Sequence, residues 1–366
     1  MALSPSDQLF LRQAIELAEG GRFTCAPNPC VGCVIVRHGQ VLGRGFHQRA
    51  GQGHAEVNAI EHARSQGHAV AGSTVYVSLE PCAFVGRTPA CAATLVQEKV
   101  ARVVVAMRDP HPKVAGAGIA MLQDAGIEVS VVEDIAAHRL VRGYVKRVTA
   151  GLPWVRLKSA ASLDGAVALS TGESKWITGA AARRDVQYWR ARSDAIITGI
   201  GTVLADDPSL TVREEDLLPA DQPLRVVLDR HLRTPESAGL VNDGGKTLLC
   251  HGPDVDIPSW LLKHPQVQLN PLVAGDAQTQ LRQLLLDLAE IGCNEVMVEA
   301  GPGVCGSFAN SNLWDEWISY IAPKWLGHNS QGLASFTVER LRDAPAGKVV
   351  DVAQFGEDVR LILEQP

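Results

Sequence analysis

The sequence predicts an α/β protein of two domains, and three observations carry that expectation. Its 366 residues exceed the roughly 250 to 300 at which a single hydrophobic core stops growing. Apolar, β-branched runs alternate with helical stretches through both halves, the order that builds a sheet with helices on its faces. Around residues 147–152 the alternation breaks at a Gly-Leu-Pro turn, which sets the expected domains at 1–148 and 149–366.

The elements follow in order. Asp7 to Gly20 reads as an amphipathic helix with Leu9, Phe10, Ile15 and Leu17 inward and Gly20-Gly21 as its stop. Val31 to Val36 reads as a buried strand and Gln40 to His47 as its hairpin partner. A helix from His54 to Ser65, a strand from Ser73 to Leu79, a helix from Cys91 to Lys99 and a strand from Val103 to Met107 come next. A helix over Ala117 to Asp124 and a strand over Ile127 to Val132 complete the first half. In the second half strands are expected at Trp154–Lys158, Ala195–Thr198, Leu224–Leu228, Thr247–Cys250 and Glu295–Glu299, with two more at Trp317–Ile321 and Arg360–Leu363. The clearest helices run from Ala180 to Arg192 and from Thr279 to Ile291, and Asp206 to Gln222 reads as an irregular excursion.

Composition narrows the function class. A formal charge of −6 and a pI near 6.0 offer no basic stripe for nucleic acid. No run of 18 uncharged apolar residues suggests a membrane span. The first residues lack the basic and apolar regions of a secretory signal, so a cytoplasmic location is expected. Eight cysteines are too sparse for a disulfide scaffold, which leaves metal binding or core packing.

The chemistry concentrates in His54-Ala-Glu56, Pro81-Cys82 and Cys91. One imidazole and two thiols form a three-ligand zinc set with a position open for water, the mark of a catalytic site. His54 and Cys91 both fall at helix starts, where the positive end of the dipole favours thiolate. Glu56, two residues from the histidine, is placed to handle that water's proton, an order shared with zinc-dependent nucleobase deaminases. Alone, each such residue would be a cap or a core cysteine. Cys25, Cys30, Cys33, Cys250, Cys293 and Cys305 have no such partners and read as packing residues. A nucleoside or tRNA deaminase and a structural zinc module are the competing assignments. The acidic pI opposes the first, and the second lacks an obvious fourth ligand.

Longer motifs sharpen the assignment. Asn28-Pro-Cys-Val-Gly32, His47-Gln-Arg-Ala-Gly51, Leu79-Glu-Pro-Cys82 and the loop Gly86-Arg-Thr-Pro-Ala-Cys91 resemble the bacterial bifunctional riboflavin-biosynthesis deaminase/reductases. The match extends through Ser162-Leu-Asp-Gly165, Gly172-Glu-Ser-Lys-Trp-Ile-Thr178, Val203-Leu-Ala-Asp-Asp-Pro208 and Val298-Glu-Ala-Gly-Pro302. The resemblance implies a cytidine-deaminase-like α/β/α zinc domain followed by a dihydrofolate-reductase-like α/β domain that binds NADPH. It implies two consecutive reactions on a small molecule: hydrolytic loss of the 2-amino group of 2,5-diamino-6-ribosylamino-4(3H)-pyrimidinone 5′-phosphate, then reduction of the ribosyl group to ribityl. A homo-oligomer, with a dimer favoured, comes from the same source.

By motif position, His54, Cys82 and Cys91 would hold one zinc and Glu56 would shuttle the proton. Asn28 and His47 would hold the pyrimidine, and Arg87 and Thr88 the ribose phosphate. Relatives commonly carry Ser-His after the first zinc cysteine. Ala83-Phe84 stands here instead, so a histidine contact cannot be carried over.

In the second half Gly301-Pro-Gly-Val-Cys-Gly306 matches G-x-G-x-x-G after a strand. It lacks the βαβ context and ribose-binding acid of a Rossmann site, so by itself it could equally be a tight strand-to-helix turn. On the resemblance, Ala160, Trp176, Thr178, Thr202, Asp206 and the loop Gly301, Pro302, Gly303, Val304, Cys305, Gly306, Ser307 would line the cofactor. Ser174, Arg190, Leu210, Arg213 and Glu299 would contact substrate, the two arginines gripping its phosphate and Glu299 its ribose hydroxyls. Lys158 is a candidate proton donor, and Arg230 receives no role. Without the resemblance, Arg183, Arg184, Arg190 and Arg192 would read as solvated helix charges and Trp176 as core.

Overall fold

The structure, a computed structural model, describes residues 3–84 and 90–366. Arg87 and Thr88 therefore lie outside the described residues. The chain divides after Gly151 into two compact units.

In the first unit, helix α1 (Pro5–Ala18) precedes strands β1 (Gly32–Arg37) and β2 (Gln40–Phe46). Helix α2 (Ala55–Ser65), β3 (Thr74–Val77), α3 (Cys91–Gln97), β4 (Arg102–Val105), α4 (Ala117–Asp124) and β5 (Glu128–Val131) follow, then α5 (Ile135–Leu140) and α6 (Arg142–Ala150). The strands form one sheet in the order β2-β1-β3-β4-β5. β1 is antiparallel to both neighbours, and β3, β4 and β5 are parallel.

Strand alternation builds two cores from one sheet. Cys33 and Ile35 of β1 join the face covered by α2, α3 and α4, whereas Val34 and Val36 join the face covered by α1 and α5. The buried stripe of α1 runs through Asp7, Leu11, Ala14 and Ala18. Leu9, expected inside, is 51% exposed. Asp7 is inside because its carboxylate closes the capping box by accepting the Ser4 N–H and also receives the Tyr76 hydroxyl and Arg102. The expected break at 147–152 is occupied by α6, which continues to Ala150 before Gly151 turns left-handed at φ 68°.

The position of α2 is set by glycine. Cβ atoms added at Gly43 and Gly45 would stand 2.1 Å from the Ala59 carbonyl oxygen and 2.4 Å from the Ala59 nitrogen. The helix therefore lies backbone against backbone on β2, which fixes its first turn and the residues His54 and Glu56.

The second unit opens with β6 (Trp154–Ser162), β7 (Ala166–Ala168), α7 (Ala180–Ala191), β8 (Ala195–Gly199) and α8 (Ile200–Asp206). Then come β9 (Leu224–Leu228), α9 (Gly239–Asn242), β10 (Thr247–His251), β11 (Val267–Pro271), α10 (Ala277–Glu290), β12 (Glu295–Val298) and α11 (Pro302–Asn310). The last strands are β13 (Glu316–Ala322), β14 (Gln331–Gly332), β15 (Lys348–Phe355) and β16 (Asp358–Glu364). The large sheet runs β11-β10-β9-β8-β12-β6-β13-β16-β15. It is parallel from β11 to β13, and β16 and β15 are added antiparallel. Because β12 returns between β6 and β8, chain direction across the sheet reverses there, and ligands of open parallel sheets bind beyond the carboxyl ends at such a point.

Substituting Gly45 by alanine is expected to lower the unfolding free energy of the first unit by about 1–3 kcal/mol. Urea denaturation read on the full chain checks this, and an unchanged midpoint would remove the backbone contact as the reason for glycine.

Candidate active sites

Three elements deliver the metal donors. His54 is the N-cap of α2 with no capping bond from its side chain, Cys82 follows the strand β3, and Cys91 is the first residue of α3. His54 Nδ1 lies 3.6 Å from Cys82 Sγ and 3.3 Å from Cys91 Sγ. All three donor atoms fall within 4.8 Å of one another, and no other such group of three or more His, Cys or acidic side chains occurs among the described residues. A tetrahedral zinc with bonds of about 2.3 Å to sulfur and 2.0 Å to nitrogen sets N···S edges of about 3.5 Å. The donor spacing fits that ion and leaves its fourth corner for water.

Local electrostatics suit the chemistry. Hydrogen bonding to the Cys91 side chain pulls the Cys82 thiol down to about 4, against the cost of burial and with help from His54 and the Cys91 N–H. The same bond, with burial and the nearby Glu56, pushes Cys91 up. His54 is raised by its bond to Cys82. Glu56 is 2% exposed. Burial, then the charge of Cys82, raise its carboxyl, which also hydrogen-bonds Cys91. A carboxyl with enhanced proton affinity, in contact with one of the three donors, can take up and release a proton.

His47 is buried against this cluster, its ring edge-on to that of His54 at 5.2 Å. Nδ1 lies 3.1 Å from the Gly53 carbonyl, so it donates there and leaves Nε2 to accept from the Asn28 amide at 3.0 Å. Burial keeps this imidazole's pKa low. The structure thus brings Asn28, His47, His54, Glu56, Cys82 and Cys91 together. Phe84, in place of the usual histidine, is 42% exposed, with its ring 6.4 Å from that of His111.

One residue of this site had no signal in the sequence beyond its place in Leu-Glu-Pro-Cys. The buried carboxylate of Glu80 accepts four backbone N–H groups, from Asp109, Gly116, Gly118 and Ile119, at 3.0–3.2 Å. Segment 109–119 is thereby tied to the strand end that presents Cys82. Its approach is so close that a Cβ on Gly118 would stand 1.9 Å from the Pro81 carbonyl oxygen.

In the second unit a charged cluster sits at the carboxyl end of β12, beside the middle of β6. Glu299 receives Arg190 Nε at 2.9 Å and Nη2 at 2.8 Å, and Lys158 Nζ stands 3.8 Å away. Burial would raise Glu299, but Arg190 first, then Lys158 and Arg213, hold it at about 2. Arg190 is buried, contrary to a solvated-helix reading, and its third nitrogen donates to the Thr211 carbonyl at 3.0 Å. With all three nitrogens engaged, Arg190 orients Glu299. Arg213 is exposed and held by the Ser209 hydroxyl at 2.8 Å, which leaves it the better placed of the two for a phosphate. Leu210 is 1% exposed at φ 51°. Ser174 is half-buried.

The Gly301–Gly306 motif is the turn from β12 into α11, with Gly301 as N-cap. A Cβ on Gly303 would meet nothing within 4 Å, and one on Gly301 only Thr202 Oγ1 at 4.0 Å. That open helix start, with Thr202 facing it, fits a cofactor phosphate resting on the Gly303 and Val304 amides. Cys305 and Gly306 turn inward, the thiol donating to the Ala300 carbonyl and Gly306 abutting the backbone of Ser335. The Ser307 hydroxyl returns to the Gly303 carbonyl. Trp176 is 66% exposed under the Arg183 guanidinium at 4.4 Å, not core. Its carbonyl accepts from Lys324, and the Thr178 carbonyl from Arg183. Asp206 pairs with Lys175 at 3.4 Å. Ala160 lies in β6 beside Tyr320, and Arg230 is exposed.

An open three-donor zinc site on a mixed sheet, joined in one chain to a parallel sheet with a phosphate-ready helix start, defines a deaminase–reductase. A family model described as the cytidine and deoxycytidylate deaminase zinc-binding region matches residues 4–107, and one described as the RibD C-terminal domain matches residues 153–361. The riboflavin biosynthesis protein RibD of Escherichia coli is 43% identical across 98% of this chain and 99% of its own. That of Haemophilus influenzae is 41% identical across 99% and 98%. Among solved structures, Acinetobacter baumannii RibD superposes with a TM-score of 0.90 at 42% identity, covering 99% of both chains. A Thermotoga maritima protein described as a diaminohydroxyphosphoribosylaminopyrimidine deaminase/5-amino-6-(5-phosphoribosylamino)uracil reductase does so at 0.88 and 31%, with the same coverage. The chain belongs to the RibD family of riboflavin-biosynthesis proteins. It is a bifunctional enzyme with a zinc-dependent deaminase domain and an NADPH-dependent reductase domain. No helix among the described residues is long and apolar enough to cross a membrane.

Two outcomes test the site's scaffolding. Glu80→Ala leaves four buried amides unpaired and is expected to cost about 3 kcal/mol or more in urea denaturation, with zinc content falling in parallel. Glu299, held below its ordinary 4.5, contributes stability that is complete above that value and lost as pH falls toward about 2. In stability-versus-pH titrations Glu299→Gln should flatten this acid-side slope, and an unchanged slope would refute the ion pair's contribution.

Proposed function

We propose that the first unit hydrolyses the 2-amino group of 2,5-diamino-6-ribosylamino-4(3H)-pyrimidinone 5′-phosphate, and that the second reduces the product's ribosyl group to give 5-amino-6-ribitylaminouracil 5′-phosphate. The observation that carries this reading is the buried Glu56 beside a three-donor set with one corner open. Zinc, when bound by His54, Cys82 and Cys91, supplies Lewis acidity and a nucleophile at neutral pH. Glu56 then takes the proton of the attacking water and passes it to the departing nitrogen, which leaves as ammonia. Asn28 and His47, fixed to each other, hold the pyrimidine, and Arg87 and Thr88 take the phosphate.

In the reductase, NADPH when bound would supply the hydride that opens the sugar at its C1′–O4′ bond, with one proton taken up by the departing oxygen. Lys158, whose ammonium stands 3.8 Å from Glu299, would hold that proton. Ala160, Trp176, Thr178, Thr202, Asp206 and the loop 301–307 form the cofactor site. Glu299 binds ribose hydroxyls in the orientation set by Arg190, and Arg213 meets the phosphate together with Ser174 and Leu210. The protein works in the cytoplasm as a homodimer.

Glu56→Gln separates the two activities. Ammonia release should fall by about 10²–10⁴-fold with zinc content retained, while NADPH oxidation on supplied deaminated intermediate continues. Undiminished ammonia release would remove Glu56 from the mechanism, and faster turnover of a ribonucleoside would overturn the substrate.

A further inference from the structure

Cys25 and Cys30 are both thiols, one buried and one half-buried, outside the metal-ligating group. Their sulfurs lie 3.0 Å apart. A disulfide needs about 2.05 Å, so closure asks for about 1 Å of movement. Between them runs Ala26-Pro27-Asn28-Pro29, the turn whose Asn28 amide meets His47.

The turn is anchored from both sides. The Cys25 N–H donates to the Gly21 carbonyl at 2.9 Å, and the Asn28 N–H to the Cys25 carbonyl at 3.0 Å. The Pro27 carbonyl accepts from Arg147 at 3.0 Å. Beyond Cys30, Gly32 begins β1 with its N–H on the Ser78 hydroxyl at 3.0 Å. Two prolines fix φ on either side of Asn28. The anchored turn therefore holds the two cysteines with their sulfurs in contact, and bonding them need not displace Asn28.

We propose that Cys25 and Cys30 form a modification site: a reversible disulfide that staples the Asn28 turn in its present position. The oxidant is a low-molecular-weight disulfide. Cys30, the more accessible, attacks one of its sulfurs as the thiolate and expels the first thiol. The Cys25 sulfur then attacks Cys30 in the mixed disulfide and expels the second. Two cysteine thiols are oxidised, the small disulfide is reduced to two thiols, and the cysteine protons end on those leaving groups. Formation of the bond is independent of the deaminase assignment. Its consequence for turnover rests on the proposed role of Asn28.

The test uses the full-length, zinc-loaded protein equilibrated with oxidised glutathione, then alkylated and digested with trypsin. Phe23 to Arg37 is one tryptic peptide containing Cys25, Cys30 and Cys33. The expected product has lost two hydrogens and carries one alkyl group, on Cys33, with zinc content unchanged. Oxidation should raise the unfolding temperature by about 4 °C or more and keep deaminase kcat within twofold. Cys30→Ser should abolish both the mass change and the thermal shift while leaving the reduced protein's activity intact. Glutathione retained on Cys30, or full alkylation of all three cysteines, would overturn the site. A correct linkage accompanied by loss of turnover would overturn the staple. A reduced protein that releases no ammonia would instead defeat the deaminase reading, while peptide mapping still decides the disulfide.

Discussion

The first unit depends on one constraint: three donor atoms from separate elements must converge within 4.8 Å. Side-chain reach cannot secure this, because a thiol has one rotatable bond before its sulfur. The backbone does so. Gly43 and Gly45 let α2 settle directly on β2 and so fix His54. The start of α3 fixes Cys91, and its N–H donates to the Cys82 sulfur. Glu80 fixes the wall behind Cys82. Each device places a chain segment, and the ligands follow from where the segments lie.

The two sites handle buried charge in opposite ways. In the deaminase, desolvation and a neighbouring thiolate push Glu56 up, which favours a group that binds and releases protons. In the reductase, Glu299 is half-buried, and two guanidinium–carboxylate bonds and the nearby lysine keep it ionised. A permanently charged carboxylate is a poor proton carrier and a strong acceptor for hydroxyl groups. On the roles proposed for them, shuttling for Glu56 and binding for Glu299, the difference is set by whether a cation stands beside the acid.

Much of this was legible in the sequence. Long apolar runs located β1, β8, β9 and β12, and the His-Ala-Glu, Pro-Cys and Cys spacing pointed to the three donors that the fold brings together. Other elements were not visible: α8 stands where no helix was expected, and β15 carries exposed valines that resemble loop composition. Glu80 was invisible for a different reason: its partners are backbone amides about 30 to 40 residues away, and amides leave no trace in side-chain identity. Residue type alone would have left Arg190 solvated, as helical arginines usually are, and tertiary pairing with Glu299 draws it inside. Leu9 misled because a capping aspartate took the inward position that periodicity gave to leucine.

The four N–H groups around Glu80 form a small anion receptor, and the chain supplies its own guest. A free carboxylate entering such a receptor would sacrifice translational freedom; this one is tethered through the strand it serves. Segment 109–119 is thus bound to the sheet much as a host binds a ligand at high effective concentration, reversibly in principle but saturated in the folded state. The wall behind the metal centre is closed by intramolecular recognition, with no covalent link required.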